Sequence, residues 1–274
     1  MPLKSLPYRA RFRGGWRGSM NTLQVTIKDR LAVIALNRGK SNPMNAEMIK
    51  ELHLLVQSID ADDNIGGLII TGKENFFSAG LDLIELYDYN HEEIAVFWRS
   101  FLSLQAKMVA FKKPMVAAIS GHSPAGGCVL AMCCDYRVMA RGKYIIGLNE
   151  IPVGIIVPDS IFSLYAFWLG QRNAYQYLME GKLLSVEDAL QVGLIDEICN
   201  PESVISTAEK KIRTYMQFNA ATWSQSKLNL RKQLIADASA DQTENLDMML
   251  KQWWAPETRK VLQMIIQNLK APKP

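Results

Sequence analysis

Residues 114–140, PMVAAISGHSPAGGCVLAMCCDYRVMA, decide how the chain is to be read. PMVAAIS is a short apolar run closed by Ser120 and Gly121, the pattern of a buried strand. Pro124, Gly126 and Gly127 then break the run, and AGGCVLAMCC continues as an apolar helix. DYRVMA returns to strand chemistry, and KYIIGL repeats it a few residues later. Strands and helices thus alternate, with Gly or Ser loops at the strand ends, which predicts an α/β fold.

Working outward, LQVTIKD (23–29) and LAVIALN (31–37) are two strand-like runs separated by Arg30 and read as a hairpin. NAEMIKELHLLVQSID has apolar residues at three- and four-residue spacing behind Asn45, a suitable N-cap, and is predicted helical. GGLIITG supplies a further strand, and a long helix is expected from about His91 to Phe111. From Pro158 onward the pattern is helical almost to the end. Gly170, Gly181 and Gly193 punctuate it, and Ser185 and Pro201 mark helix starts. The expected domain organisation is a basic extension over 1–19, an α/β core over 20–200 and a helical section over 201–274.

The chain has 274 residues, 49% apolar and 21% charged, which suits one sizeable core. A formal net charge of +4 does not call for an extended nucleic-acid footprint but suits a small anionic ligand. Cys128, Cys133, Cys134 and Cys199 show no paired spacing and read as buried thiols of a reducing compartment, not as metal ligands. His53, His91 and His122 are scattered, and no metal site is expected. Residues 1–19 carry Lys4, Arg9, Arg11, Arg13 and Arg17 without an acid. They read as sequence upstream of a start at Met20, in a soluble cytoplasmic protein; the alternative is a presequence for the mitochondrial matrix. No run approaches the roughly 20 apolar residues of a membrane span.

Three segments have the character of a reaction site. FFSAGLD (76–82) and GHSPAGGCVLAM (121–132) are small-residue loops whose backbone N–H groups could hold a developing negative charge, the second with the positive end of a helix dipole behind it. Each is equally a plain turn when taken alone. AGGC is not a dinucleotide fingerprint, and GHSPAG misses the GxSxG spacing, which argues against Ser123 as a nucleophile. In IIGLNEIPVGIIVPD (145–159), Glu150 is the lone carboxylate before the closing Asp159, set among Ile, Val, Pro and Gly. Such surroundings disfavour its charged form and raise its pKa toward neutrality, as a group that takes and returns a proton requires. A solvent-facing loop glutamate is the alternative.

FFSAGLDL, the stretch 114–140, KYIIGLNEIPVGI and SVEDALQVGLIDEI, in this order, resemble the crotonase (enoyl-CoA hydratase/isomerase) superfamily from about Met20 to the C-terminus. The details are most similar to its mitochondrial-type 3,2-trans-enoyl-CoA isomerase branch. The resemblance implies a ββα superhelix core with a C-terminal helical trimerisation section, and a homotrimer or hexamer. It implies isomerisation of 3-enoyl-CoA to 2-enoyl-CoA in fatty-acid β-oxidation, with Glu150 as the single acid/base and the Ala79 and Gly126 amides as an oxyanion hole. It further implies acyl-CoA binding along SNPMNA and AGLDL, at Met44, Gly80, Leu81, Asp82 and Leu83, with Val129 beside the acyl group. No cofactor is implied, CoA being part of the substrate, and neither nucleic acid nor membrane is an expected partner.

Hydratases of the superfamily carry a second Glu where Val129 stands, because adding water to an alkene needs two proton-handling groups. The dienoyl isomerases carry an acid where Pro158 stands; Asp159, one residue on, reads as a helix N-cap with a reactive role left open. Trp253, Trp254, Met264 and Ile265 are expected in trimer packing and the acyl pocket, or simply in the core. Alternative functions are another acyl-CoA activity of the superfamily (hydratase, thioester hydrolase) or a non-catalytic RNA-binding or scaffold role.

Overall fold

The structure, a computed structural model, describes residues 20–271; the basic extension lies outside that range. Strands β1 (Leu23–Lys28) and β2 (Leu31–Leu36) pair antiparallel, Lys28 opposite Leu31. The turn is Asp29–Arg30, with φ of 48° and 64°. Two successive positive φ values suit the right-handed twist of a two-residue hairpin. Asn45 caps α1 (Ala46–Ala61), accepting the Met48 amide at 3.0 Å.

After β3 (Gly67–Thr71) and the two-residue β4 (Asn75–Phe76) come α2 (Leu83–Tyr87) and α3 (His91–Val109). Asn90 and Glu93 close a capping box on α3. β5 (Met115–Ile119), β6 (Gly121–Pro124) and α4 (Gly126–Cys133) follow, then β7 (Tyr136–Ala140), β8 (Ile145–Gly147) and a 3-10 turn, Ile151–Val153. GHSP, read above as loop, is therefore strand. α5 (Asp159–Glu180) is kinked at Gly170, whose φ of 73° is non-helical. Next are β9 (Leu183–Ser185), α6 (Val186–Gln191) and β10 (Glu197–Cys199). α7 (Val204–Met216), α8 (Ala220–Leu230), α9 (Lys232–Ser239), α10 (Thr243–Trp253) and α11 (Pro256–Lys270) complete the chain.

Two sheets result. The larger runs β1-β2-β3-β5-β7-β10, parallel from β2 onward; the smaller runs β4-β6-β8-β9, with β4, β6 and β8 parallel. Three times the chain passes through a strand of the large sheet, then one of the small sheet, then helix: β3-β4-α2, β5-β6-α4 and β7-β8-α5. This repeat is the ββα superhelix of the crotonase fold. It brings the C-terminal ends of β4, β6 and β8 side by side, so the three loops that leave them converge.

Side-chain alternation along the strands divides the core. Met115, Ala117 and Ile119 of β5 enter the main cluster, while Val116 and Ala118 face α7 with Val204, Ala208 and Ile212. The C-terminal helices dock through buried charge. Asp135 meets Lys227 at 2.8 Å and Arg231 at 3.0 Å. Both cations also donate to carbonyls, Lys227 to Lys113, and Arg231 to Cys133 and Cys134 at the end of α4.

Candidate active site

The loop after β4 is zipped to the segment before α1. Ser78 Oγ donates to the Asn42 carbonyl, the Ala79 amide to the Ser41 carbonyl at 2.8 Å, the Met44 amide to Gly80 O, and the Asp82 amide to Met44 O. Leu81 is the residue bridged to Met44, so its own amide turns to the opposite side and has no hydrogen-bond partner among the described residues. This corrects the expectation for Ala79: its N–H is spent inside the protein, and Leu81 offers the available donor.

The loop after β6 delivers the other donor. Ala125, tied to the Gly147 carbonyl at 2.8 Å, holds φ 50° and ψ −124°, a conformation costly for any residue with a β-carbon. That turn sets Gly126 as the first residue of α4, where amides lack intrahelical acceptors and the helix dipole is positive. A β-carbon at Gly126 would lie 2.3 Å from Met44 Cε and 3.2 Å from Leu81 Cδ2, so a side chain there would have to push these two aside.

The loop after β8 delivers Glu150. Its carbonyl accepts the amides of Val153 (3.1 Å) and Ile155 (2.9 Å), which fixes the backbone and leaves the side chain to a cavity of about 470 Å³. The side chain is buried, and Oε2 has no partner among the described residues. Burial pushes the carboxyl up to about 7 from its ordinary 4.5, against a smaller opposing effect of its own backbone.

Ala79, Leu81, Asp82, Leu83, Gly126, Val129 and Glu150 all line this cavity. Met44 and Gly80 do not. Met44 is fully buried and serves as the zip between two loops, and Gly80 is a spacer pressed against Pro124 O and Gly126 N. Asp82 lines the wall, but its carboxylate pairs with Arg38 at 2.6 Å and caps α2 through the Glu85 amide. Asp159 is the first residue of α5 and not its cap, which is Pro158; its carboxylate accepts from Asn245.

Ile265 of α11 reaches the cavity, with Leu269 beside it. Trp253 is core, Trp254 stacks on His91 at 4.1 Å, and Met264 is exposed. Ser123 is fully buried away from the cavity, and His122 Nδ1 accepts the Ile145 amide. Cys199 is half-buried, unlike the other three cysteines. Trp98 and Phe101 on one face of α3, with Ile161, Val153 and Asn149, also line the cavity. Their helical spacing gave a core signal only. A second hollow of about 520 Å³ lies between α1 and α3, but its phenol, Tyr89, is committed to Glu85 at 2.7 Å.

The model of the enoyl-CoA hydratase/isomerase family matches residues 26–272. The chain belongs to the enoyl-CoA hydratase/isomerase family. It is similar to mouse mitochondrial enoyl-CoA delta isomerase 1, 34% identical over 89% of this chain and 85% of that protein. It is also similar to a probable enoyl-CoA hydratase of Rhizobium meliloti, 29% identical over 69% of this chain and 73% of the relative. The crystal structure of human mitochondrial delta3-delta2-enoyl-CoA isomerase superposes with a TM-score of 0.88 at 30% identity, covering 91% of this chain and 98% of that one. The carboxyl, the two open amides and the apolar wall thus lie in a crotonase-family enzyme, among relatives that include both isomerases and hydratases.

Proposed function

We propose that this chain is a 3,2-enoyl-CoA isomerase of fatty-acid β-oxidation, moving the double bond of a 3-enoyl-CoA to position 2. The observation that carries this reading is the carboxyl of Glu150, buried with an elevated pKa in a cavity whose other lining carboxylate, Asp82, is ion-paired. One proton-handling group serves isomerisation, whereas hydration needs two. Val129, 1% exposed, stands where a hydratase's second glutamate is expected and keeps that side apolar.

In this reading the thioester oxygen sits between the Leu81 and Gly126 amides. C2–H of the substrate is acidified by both the carbonyl and the alkene, and ionised Glu150 removes it. The two amides hold the dienolate oxygen, each such donor contributing about 3–4 kcal/mol to lowering the barrier. The protonated carboxyl then returns the proton at C4, giving the conjugated thioester. No cofactor enters, and the apolar walls keep water from the dienolate. CoA is placed along residues 41–46 and 79–83 by backbone contacts, and the exposed apolar side chains Phe167, Tyr175 and Met179 of α5 suit a homotrimer or hexamer, checked by light scattering. Among the described residues no helix is long and apolar enough to cross a membrane; cytoplasm or mitochondrial matrix is decided by an import assay with residues 1–19 present or deleted.

The experiment is incubation with 3-hexenoyl-CoA and, separately, 2-hexenoyl-CoA. Conjugated product from the first and little 3-hydroxyacyl product from the second are expected. Hydration of the second without isomerisation of the first overturns the reading.

A further inference from the structure

The open amide of Leu81 is one end of a hydrogen-bond chain that crosses two peptide groups and finishes on a side chain outside the cavity. In a planar trans peptide the C=O and N–H point in opposite directions. The Leu81 N–H therefore shares a plane with the Gly80 carbonyl, which accepts the Met44 amide at 2.8 Å. The Met44 N–H shares the next plane with the Pro43 carbonyl, and that oxygen accepts from Arg38 Nη1 at 2.9 Å. All three donors run the same way: Arg38 to Pro43 O, Met44 N–H to Gly80 O, and Leu81 N–H to the oxygen that enters the cavity.

Arg38 is itself held in place. Nη1 also meets Asp82 at 2.6 Å, Nη2 meets Glu85 at 2.8 Å, and the Arg38 amide donates to Asn42 Oδ1. Glu85 takes further donors from Asn45 and Tyr89. Both terminal nitrogens of the guanidinium are thus engaged within the protein, and Arg38 does not line the cavity. Ion pairs of a side chain 24% exposed add little to stability. What the planar fork supplies here is a fixed direction.

We infer that Arg38 is a positioning residue for the oxyanion hole: it aims and polarises the Leu81 N–H through the Pro43–Met44 and Gly80–Leu81 peptides. Hydrogen bonds in series strengthen one another, by about 10–30% per bond. The gain is larger on an oxygen that gathers charge than on a neutral thioester carbonyl, so it appears in the rate of the chemical step. The Gly126 amide draws on the α4 dipole instead. The inference rests on the isomerase reading, which places the thioester oxygen against Leu81.

The test is Arg38→Met, read by kcat and KM on 3-hexenoyl-CoA and by the ultraviolet spectrum of bound 3-oxohexanoyl-CoA, whose enolate oxygen imitates the dienolate. The expected kcat is about tenfold lower, short of the hundredfold or more that follows outright loss of a donor, with KM changed less than about threefold. The enolate fraction of the bound 3-oxo thioester falls in step, and Arg38→Lys, which can still donate to Pro43, recovers most of both. A kcat and an enolate fraction within about twofold of the wild type, whatever the melting temperature does, overturn the inference. So does a loss confined to KM, the mark of a direct contact with CoA. Should Arg38→Met fail to fold, NMR of the wild type decides. Paired isotope labels on proline carbonyls and methionine amides report only the Pro43–Met44 and Pro114–Met115 peptides. The Met44 signal should move further with 3-oxohexanoyl-CoA than with hexanoyl-CoA, while Met115, bonded to Asp135, stays as the reference. A Met44 signal that answers both ligands alike overturns the inference. A wild type that leaves 3-hexenoyl-CoA unchanged sinks the isomerase reading instead; the enolate spectrum needs no turnover and still reports on Arg38.

Discussion

Gly80 and Ala125 touch where the two amide-bearing loops meet: a β-carbon on the glycine would lie 3.0 Å from that of the alanine and 3.2 Å from the carbonyl of Pro124. Gly80 also holds φ at +88°, where a side chain is strained. The spacing of the Leu81 and Gly126 amides therefore depends on a residue that does not itself line the cavity. Gly80→Ala should lower stability by about 1–3 kcal/mol and kcat by at least about a hundredfold, with melting curves and initial rates as the measurements. A variant of unchanged kcat would show that the loop spacing is not critical.

Burial of Glu150 has a consequence for stability as well as for rate. Its folded value of about 7 lies above the ordinary 4.5, so between these pH values the native state holds the proton more tightly than the unfolded chain. The stability this preference confers is complete below about 4.5 and lost as pH rises through about 7. Glu150→Gln, neutral throughout, should match the wild type near pH 4 and exceed it by about 3 kcal/mol at pH 8.5 in urea titrations. Isomerisation by the wild type, which needs the ionised base, should climb through about pH 7 and then level.

Val129 is the side chain that separates one-acid from two-acid chemistry. Val129→Glu puts a second carboxyl into a buried position beside Glu150, and like charges raise each other's pKa. The variant should lose about 2–4 kcal/mol of stability, isomerise at least tenfold more slowly at pH 7, and form 3-hydroxyacyl-CoA from 2-hexenoyl-CoA at a rate the wild type lacks. Product chromatography checks the last point.

The alternation of strands and helices, the Asn45 cap and the three site segments were legible because each rests on local chemistry: apolar period, cap residue, small residues at a strand end. The isolation of Glu150 was legible for the same reason. The Ala79–Ser41 bond was not, because it joins segments 38 residues apart in sequence, and only the pairing of Met44 with Leu81 reveals which amides turn outward. Strands β4, β9 and β10 are too short to leave a period, and Met44, expected to bind acyl-CoA, is fully buried as the zip between two loops, a pairing that local sequence does not reveal. Trp98 and Phe101 carry the same helical spacing as core residues, so their exposure to the cavity depends on tertiary packing alone.

The C-terminal helices, which carry Ile265 and Leu269 to the cavity, are held on the core by Asp135 between Lys227 and Arg231. Removing the anion leaves two buried cations without compensation, a loss of about 3–5 kcal/mol. Asp135→Ala should open the section from α8 onward to limited proteolysis before the sheets unfold. Cleavage no faster than in the wild type would place the anchor elsewhere.

The most direct test of the proton-shuttle account is the turnover of 3-hexenoyl-CoA by Glu150→Gln, followed by the appearance of the conjugated thioester. The account predicts a loss of at least about ten-thousandfold with CoA-thioester binding retained; a rate within tenfold of the wild type would contradict it.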